Sequence, residues 1–417
     1  MAEILVLGAG MIGVSTALAF QERGHAVTLL DRRAAGQEAS YGNAGFISAD
    51  STEPYPLPRN LKTLAAFGLG LRNDVTYDLR AVLRMAPALW QYLRHSRPDR
   101  VAEQARTYAE MARRSTAAHQ RLIDAAGLGN LVRRSGYYEI RRDPRKAEAE
   151  ARDAQALGRD YNVSPEILSG AELCRREPAI TSEVGGAIWW PQTWLCADPG
   201  ALVEGYAELF RNRGGTWAQG DARTLEQASG GWRVQSDGGP ISAEHVVVAM
   251  GAWSPKLLAR FGYKIPMVYK RGYHAHFDAP RGLGASIMDG DNAVVLASMN
   301  KGLRLATGAA LVDMAAPADT RQITRGAKGV SDIIELGPRI AEPQWYGTRP
   351  FMPDMLPVVG AAPKHKGLWC HFGHGHLGFT KGPASADLLV QAFEGGRSDV
   401  LDAITPARKY ALGRLGA

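Results

Sequence analysis

The chain has 417 residues, long for a single core, so two or three domains are expected. Its 45% hydrophobic and 22% charged residues exclude wholesale disorder; its three cysteines (Cys174, Cys196, Cys370), none in a C-x-x-C pair, exclude a disulfide framework and a cysteine-rich zinc site and point to a reducing compartment. The net charge of +7 admits nucleic acid, an anionic membrane surface or small anions as partners, and the lack of a zinc-finger or aromatic-interleaved basic pattern argues against nucleic acid.

In chain order, Ile4–Leu7 is a short apolar run closed by Gly8, the pattern of a buried parallel strand. Glu3 stands where a signal peptide would carry basic residues, so this run is read as structure. Met11 to Arg23 has helix length and ends at Gly24. Val27–Leu30 reads as a second strand closed by Asp31, completing a strand–helix–strand unit. Pro54, Pro56 and Pro58 interrupt regular structure. Helical patterns then run from about Leu61 to Ala126, with Leu83, Leu89, Trp90 and Leu93 expected on the buried side. Much of the positive charge lies between Arg80 and Arg121. It reads first as a solvated basic face and second as a contact for an anionic membrane. No stretch approaches the ~18 uncharged apolar residues of a membrane span.

Val132–Ile140 and Gly186–Trp190 read as strands, Pro199–Arg213 as a helix, and His245–Met250 as a strongly apolar strand before Gly251. Pro266–Phe277, Ala293–Ser298 and Leu303–Thr307 alternate like antiparallel strands. A last helix is expected from Phe379 to Phe393. There is no internal repeat and no clean linker, so the domains are expected to interleave.

The first motif is Gly8-Ala9-Gly10-Met11-Ile12-Gly13. Gly8 allows the turn, Gly10 lets backbone approach a pyrophosphate, and Gly13 lets the helix pack on the sheet. Placed between a strand and a helix, the motif predicts dinucleotide binding at the helix N-terminus. Asp31 suits ribose hydroxyls and disfavours a 2′-phosphate unless Arg32 and Arg33 overrule it. NAD and FAD both stay open here. The run Ser40-Tyr41-Gly42-Asn43-Ala44-Gly45 suits backbone wrapping around a pyrophosphate or ribityl chain. Gly251, Ala252 and Trp253, after the apolar strand, would return the chain to the cofactor. The run His374-Gly375-His376-Leu377-Gly378-Phe379-Thr380 precedes a helix and could aim N–H groups at a ligand that gains negative charge. His374 and His376 lack a third ligand at zinc spacing, so no metal is expected.

Four blocks together resemble the FAD-dependent amino-acid oxidoreductases, the superfamily of D-amino-acid oxidase, glycine oxidase and sarcosine oxidase, and within it the bacterial D-amino-acid dehydrogenases. They are the fold around Gly8-Ala9-Gly10, the segment Asn43-Ala44-Gly45-Phe46-Ile47-Ser48, the block Arg349-Pro350-Phe351-Met352-Pro353-Asp354, and the run from His374 to Thr380. The resemblance implies an α/β fold. A Rossmann-like FAD-binding domain (1–80, 196–261 and 350–417) would interleave with a mostly antiparallel α+β substrate domain (81–195 and 262–349). It implies FAD held by the residues named above and by Ala222. No Cys lies in the Arg349–Asp354 block, where some relatives attach the flavin, so the FAD is expected to be non-covalent.

The resemblance also assigns Arg349 to the substrate carboxylate, Tyr273 to a hydrogen bond with it, and His374 to the flavin loop. His376 stands where relatives often have Thr or Gly and could tune the flavin or substrate choice. Tyr55 and His274 could line the pocket but receive no role. The implied reaction oxidises a D-amino acid to its imino acid by hydride transfer from Cα to flavin N5. Water then releases the 2-oxo acid and ammonia, and the electrons pass to a quinone or other carrier. The alternatives are a dehydrogenase or oxidase of D-proline, hydroxyproline or sarcosine-like amines, a 2-hydroxy-acid dehydrogenase, an NAD enzyme, and a flavin-binding module without catalysis. A cytoplasmic protein is expected, with peripheral contact on the inner face of the plasma membrane as an extension.

Overall fold

Two sheets of different character carry the chain in the computed structural model, which describes residues 1–408. Residues 409–417, the end of the expected FAD segment 350–417, lie outside the described residues. The first sheet has eight strands. Glu3–Leu7 lies near its centre, parallel to Ala26–Asp31 on one side and His245–Val248 on the other. Thr216–Ala228 and Leu368–Phe372 continue the parallel pairing outward. Two antiparallel strands after residue 228 and one at Val358–Ala361 finish the edges.

The apolar runs of this sheet follow from burial on both faces. Ile4 and Val6 pack against the helices Met11–Glu22, Pro199–Asn212 and Gly378–Phe393, while Leu5 and Leu7 pack toward Trp232, Leu258 and Phe372. The helix Pro98–Ala126 joins the first of these cores through Tyr108, Met111, Leu122 and Ile123. It does so although it lies in the stretch 81–195 assigned from sequence to the substrate domain.

The second sheet has ten strands, mostly antiparallel. Val268–Phe277 is its hub, pairing with Gly302–Thr307, Ala309–Leu311 and Trp345–Phe351. Val294–Met299 and Ser286–Asp289 follow Gly302–Thr307 in hairpin order. Tyr137–Arg141 then joins Ser286–Asp289 in parallel.

Two expectations are corrected. The strand expected at Val132–Ile140 is two strands in two sheets: Val132–Arg133 pairs with Thr193–Cys196, and Tyr137–Arg141 enters the large sheet. The break falls at Gly136, at a left-handed φ of +65°, where a Cβ would strike Trp189. The helix Leu79–His95 also turns a different side inward. Ala81, Met85, Ala88 and Tyr92 are buried, whereas Leu83 and Trp90 are 64% and 62% exposed. Among the described residues no helix is long and apolar enough to cross a membrane.

Candidate active site

A cavity of about 1130 Å³ lies between the two sheets. Pockets for one small ligand hold roughly 300–1,000 Å³, so this one has room for a large ligand and a small one. Its nucleotide end follows the first strand. Gly8 has φ +103°, and a Cβ there would sit 2.7 Å from the Ala249 carbonyl oxygen. A Cβ on Gly13 would run into the Gly8 carbonyl, whereas Gly10 faces the cavity. The helix that starts at Met11 has no capping side chain on Gly10, which leaves N–H groups and the positive dipole end for an anion. Asp31 lines the cavity and accepts hydrogen bonds from the Ala9 and Arg33 N–H groups at 2.7 and 3.0 Å.

The loop at residues 40–45 is the next wall, and the substrate-side sheet holds it. Arg304 donates to the Tyr41 and Asn43 carbonyls at 3.2 and 2.6 Å, and Lys301 reaches the Tyr41 hydroxyl. Burial lowers the Arg304 pKa to about 10. Its Nε donates to His276 Nε2, and the other ring nitrogen of His276 meets Glu342. His274, His276 and Glu342 cluster closely enough to suggest a metal. The bonding says otherwise. Accepting at Nε2 places the His276 proton on Nδ1, which leaves that nitrogen no lone pair for an ion.

The segment from Gly373 to Thr380 closes the far end. Gly373 and Gly375 take φ +84° and +58°, and the chain turns there into the helix Gly378–Phe393, which has no capping side chain. His374 is buried. Its Nε2 meets the Ser385 hydroxyl, its Nδ1 has no partner among the described residues, and burial lowers its pKa well below the ordinary value, which keeps the ring neutral. Burial, with Arg349 and Lys270 nearby, does the same to His376.

Beside this segment Arg349 reaches across the sheet above Gly272, where a Cβ would strike its guanidinium. It donates to the Gly308 and Thr307 carbonyls at 2.7 and 3.1 Å. No carboxylate pairs with it among the described residues. Desolvation lowers its pKa to about 10. Tyr55 lines the same space, its ring 4.9 Å from that of His376. Burial raises the Tyr55 hydroxyl to about 12.

The structure gathers most of the sequence candidates at this cavity. Of the expected cofactor residues, Gly13, Arg33 and Gly45 alone are not in its wall. Gly13 and Gly45 are held by close backbone approach, and Arg33 pairs with Glu38. Arg349 and His374 line the cavity. Tyr273 does not. It is buried on the opposite face of its strand with Ala275 and Phe277, because the pleat that turns Gly272 toward the cavity turns its neighbour away. Glu139, Tyr137, Arg141 and Met288 line the cavity and were missed. The one available signal was an alternating strand, Tyr137 to Arg141, with a carboxylate among aromatic residues.

The glycine cradle, the two uncapped helix starts and a neutral, partly unpartnered His374 fit a bound flavin dinucleotide. Fold and site together define a flavoenzyme. The chain matches the FAD dependent oxidoreductase (DAO) family over residues 3–392 and belongs to it. It is 28% identical to a D-amino-acid oxidase of Bradyrhizobium diazoefficiens, over 97% of this chain and 98% of the relative. It is 27% identical to a D-amino acid dehydrogenase of Chromohalobacter salexigens, over 95% and 96%. Its fold resembles glycine oxidase from Geobacillus kaustophilus, with a TM-score of 0.73, 19% identity and 99% of each chain covered.

Proposed function

We propose that this FAD-dependent oxidoreductase oxidises the Cα–N bond of a D-amino acid, giving the 2-oxo acid and ammonia, and passes the electrons to a quinone or other carrier. The observation that carries the reading is Arg349, a desolvated guanidinium in the cavity wall with carbonyls on one edge and no carboxylate partner. Two of its five N–H donors are committed to those carbonyls, which leaves an edge for a planar carboxylate. The names of the D-amino-acid oxidase and dehydrogenase relatives support the same reading.

Bound non-covalently between the Gly8–Gly13 turn and the Gly373–Thr380 segment, FAD would supply the two-electron acceptor for the Cα hydrogen. Arg349 would fix the carboxylate and so set the direction of Cα; positioning of this kind is worth up to ~7–11 kcal/mol. Its charge also disfavours an ammonium beside it and so favours the neutral amine, the form that can lose hydride. The uncapped helix at Gly378 would face the negative charge that gathers on the reduced ring. No carboxylate or histidine is needed to remove a proton from carbon, and neither His374 nor His376 is basic enough to do so at neutral pH.

The test is anaerobic bleaching of the purified protein by D- and L-amino acids, proline and hydroxyproline isomers and sarcosine, followed by air. Bleaching by D-amino acids with slow reoxidation supports the proposal. Bleaching by secondary amines alone, or fast reoxidation with peroxide, replaces it with an imino-acid enzyme or an oxidase.

A membrane-borne acceptor is supported by the exposed apolar side chains of one stretch of sequence. Leu61, Leu69, Leu71, Leu79, Leu83 and Trp90 are between 62% and 81% exposed. Lys62 and Arg80 lie among them in sequence and Arg94 follows, none of the three with a salt bridge among the described residues. Exposed apolar side chains interleaved with cations suit an anionic bilayer. Co-sedimentation with anionic vesicles at low salt, lost in a Leu83→Asp, Trp90→Asp variant, is the expected result. Failure to co-sediment removes the membrane from the proposal.

A further inference from the structure

The cavity has a second charged wall that chemistry at the α-carbon does not use. Tyr137, Glu139 and Arg141 alternate onto it from one strand. In sheet register Glu139 stands opposite Met288, Met288 opposite Val295, and Val295 opposite Ala306. All four line the cavity, and register partners share a face of the sheet. Ala306 directly precedes Thr307 and Gly308, the residues whose carbonyls hold Arg349. The floor thus runs from the Arg349 seat over Ala306, Val295 and Met288, all apolar, to a carboxylate.

We propose that Glu139 selects the substrate: the site takes an α-amino acid whose side chain is a long apolar stem ending in a cation, an ammonium or guanidinium, that pairs with Glu139. The proposal rests on oxidation of an amino acid held by Arg349 and names the substrate class of that site.

The length is right. Three strand spacings of ~4.8 Å separate the strand of Thr307 from that of Glu139, about 14 Å of floor. Hydrogen bonds of ~2.9 Å at each end leave roughly 8 Å, the reach of an extended lysine from carboxylate to ammonium.

The charges are right as well. Arg141 directs its guanidinium at Glu150, with Nε 2.6 Å from Oε1. Asp289, the other carboxylate in this part of the wall, is held by Arg142 and by the Asp291 and Asn292 N–H groups. No salt bridge reaches Glu139 among the described residues. Burial, then repulsion from Glu150, push its carboxyl up to about 7 against the smaller opposing pull of Arg141. A cationic ligand would relieve both effects, a neutral one neither, and an acidic one would worsen the repulsion. The Tyr55 hydroxyl feels the charges of both Glu139 and Arg349, so it lies within electrostatic reach of each.

The experiment measures kcat/KM of the holoenzyme for D-lysine, D-arginine, D-norleucine and D-glutamate. D-lysine and D-arginine are expected to exceed D-norleucine by about tenfold or more, as a charge-assisted contact supplies, with D-glutamate the poorest. In Glu139→Gln, with FAD content as the check on folding, the lysine-to-norleucine ratio should collapse to within about threefold. A wild-type enzyme indifferent to the terminal charge, or a variant that keeps the preference, overturns the proposal. If no amino acid bleaches the flavin, the functional reading falls. Charge selection is then read separately by titrating 6-aminohexanoate and hexanoate against the flavin spectrum. Tighter 6-aminohexanoate, lost in Glu139→Gln, supports Glu139 as the selector, and equal affinities overturn it.

Discussion

At the nucleotide end of the cavity the groups that face the ligand are largely backbone. Gly8 and Gly10 carry no side chain, and the helix from Met11 offers peptide N–H groups. At the other end the cavity is lined by side chains standing on a sheet, Arg349, Glu139 and Met288, with Tyr55 from a loop beside them. The first wall can be lost through a single methyl group, because the atom that a Cβ would strike is main chain and cannot step aside. The second wall can be rewritten one side chain at a time while the sheet beneath it stays. Binding of the dinucleotide and choice of substrate are therefore separable in this molecule.

The largest effect should come from the first wall. Gly13→Ala puts a methyl group into the Gly8 carbonyl, and we expect a protein purified without flavin, read from its visible absorbance. Arg349→Ala should do the reverse, keeping FAD while kcat/KM falls at least about a hundredfold, within the ~2–5 kcal/mol of a truncated charge pair. A near-wild-type value would sink the carboxylate clamp. Gly272→Ala tests the seat of Arg349 rather than its charge. Its methyl group meets the flexible end of the guanidinium, so the arginine shifts and FAD stays. The expected loss is smaller than for Arg349→Ala and falls mainly on KM.

The smallest effect is on stability. Burial raises Glu139 to about 7 and Asp50 to about 6. A carboxyl with a raised folded pKa stabilises the fold while protonated, and that contribution is lost as pH rises through the folded value. These two carboxyls therefore give Tm a downward slope as pH rises from about 4 to 7, opposed by the buried neutral histidines His374 and His376, and Glu139→Gln should remove its share of that slope, a few degrees. Glu150 repels the Glu139 charge and Arg141 attracts it, so Glu150→Gln should also reduce the slope.

The same contrast explains what could be read from sequence. A backbone cradle demands glycine at fixed spacing, so Gly8, Gly10, Gly13 and the run from Gly373 to Gly378 announce themselves. Arg349 was legible through its block and the family resemblance. Glu139 was not, because its neighbours Met288 and Val295 come from strands about 150 residues further along the chain. Tyr273 failed by one residue: on a strand that is buried on both faces, composition does not tell which side turns to the cavity. The arginine-rich helices misled in the same way. Small buried residues such as Ala81 and Ala88 carry little hydrophobic signal beside the exposed Leu83 and Trp90.

The position of Glu3–Leu7 has a consequence for synthesis. This strand, made well before most of its sheet, sits between Ala26–Asp31 and His245–Val248, and the next strand outward is Leu368–Phe372. Its second neighbour, His245–Val248, is made long after it. The helix that backs the flavin end, Gly378–Phe393, arrives later still. Pairings this distant in sequence are slow to close and leave an apolar edge open meanwhile. The nascent chain therefore carries an unfinished sheet that needs shielding, and cofactor uptake waits until that helix has been made.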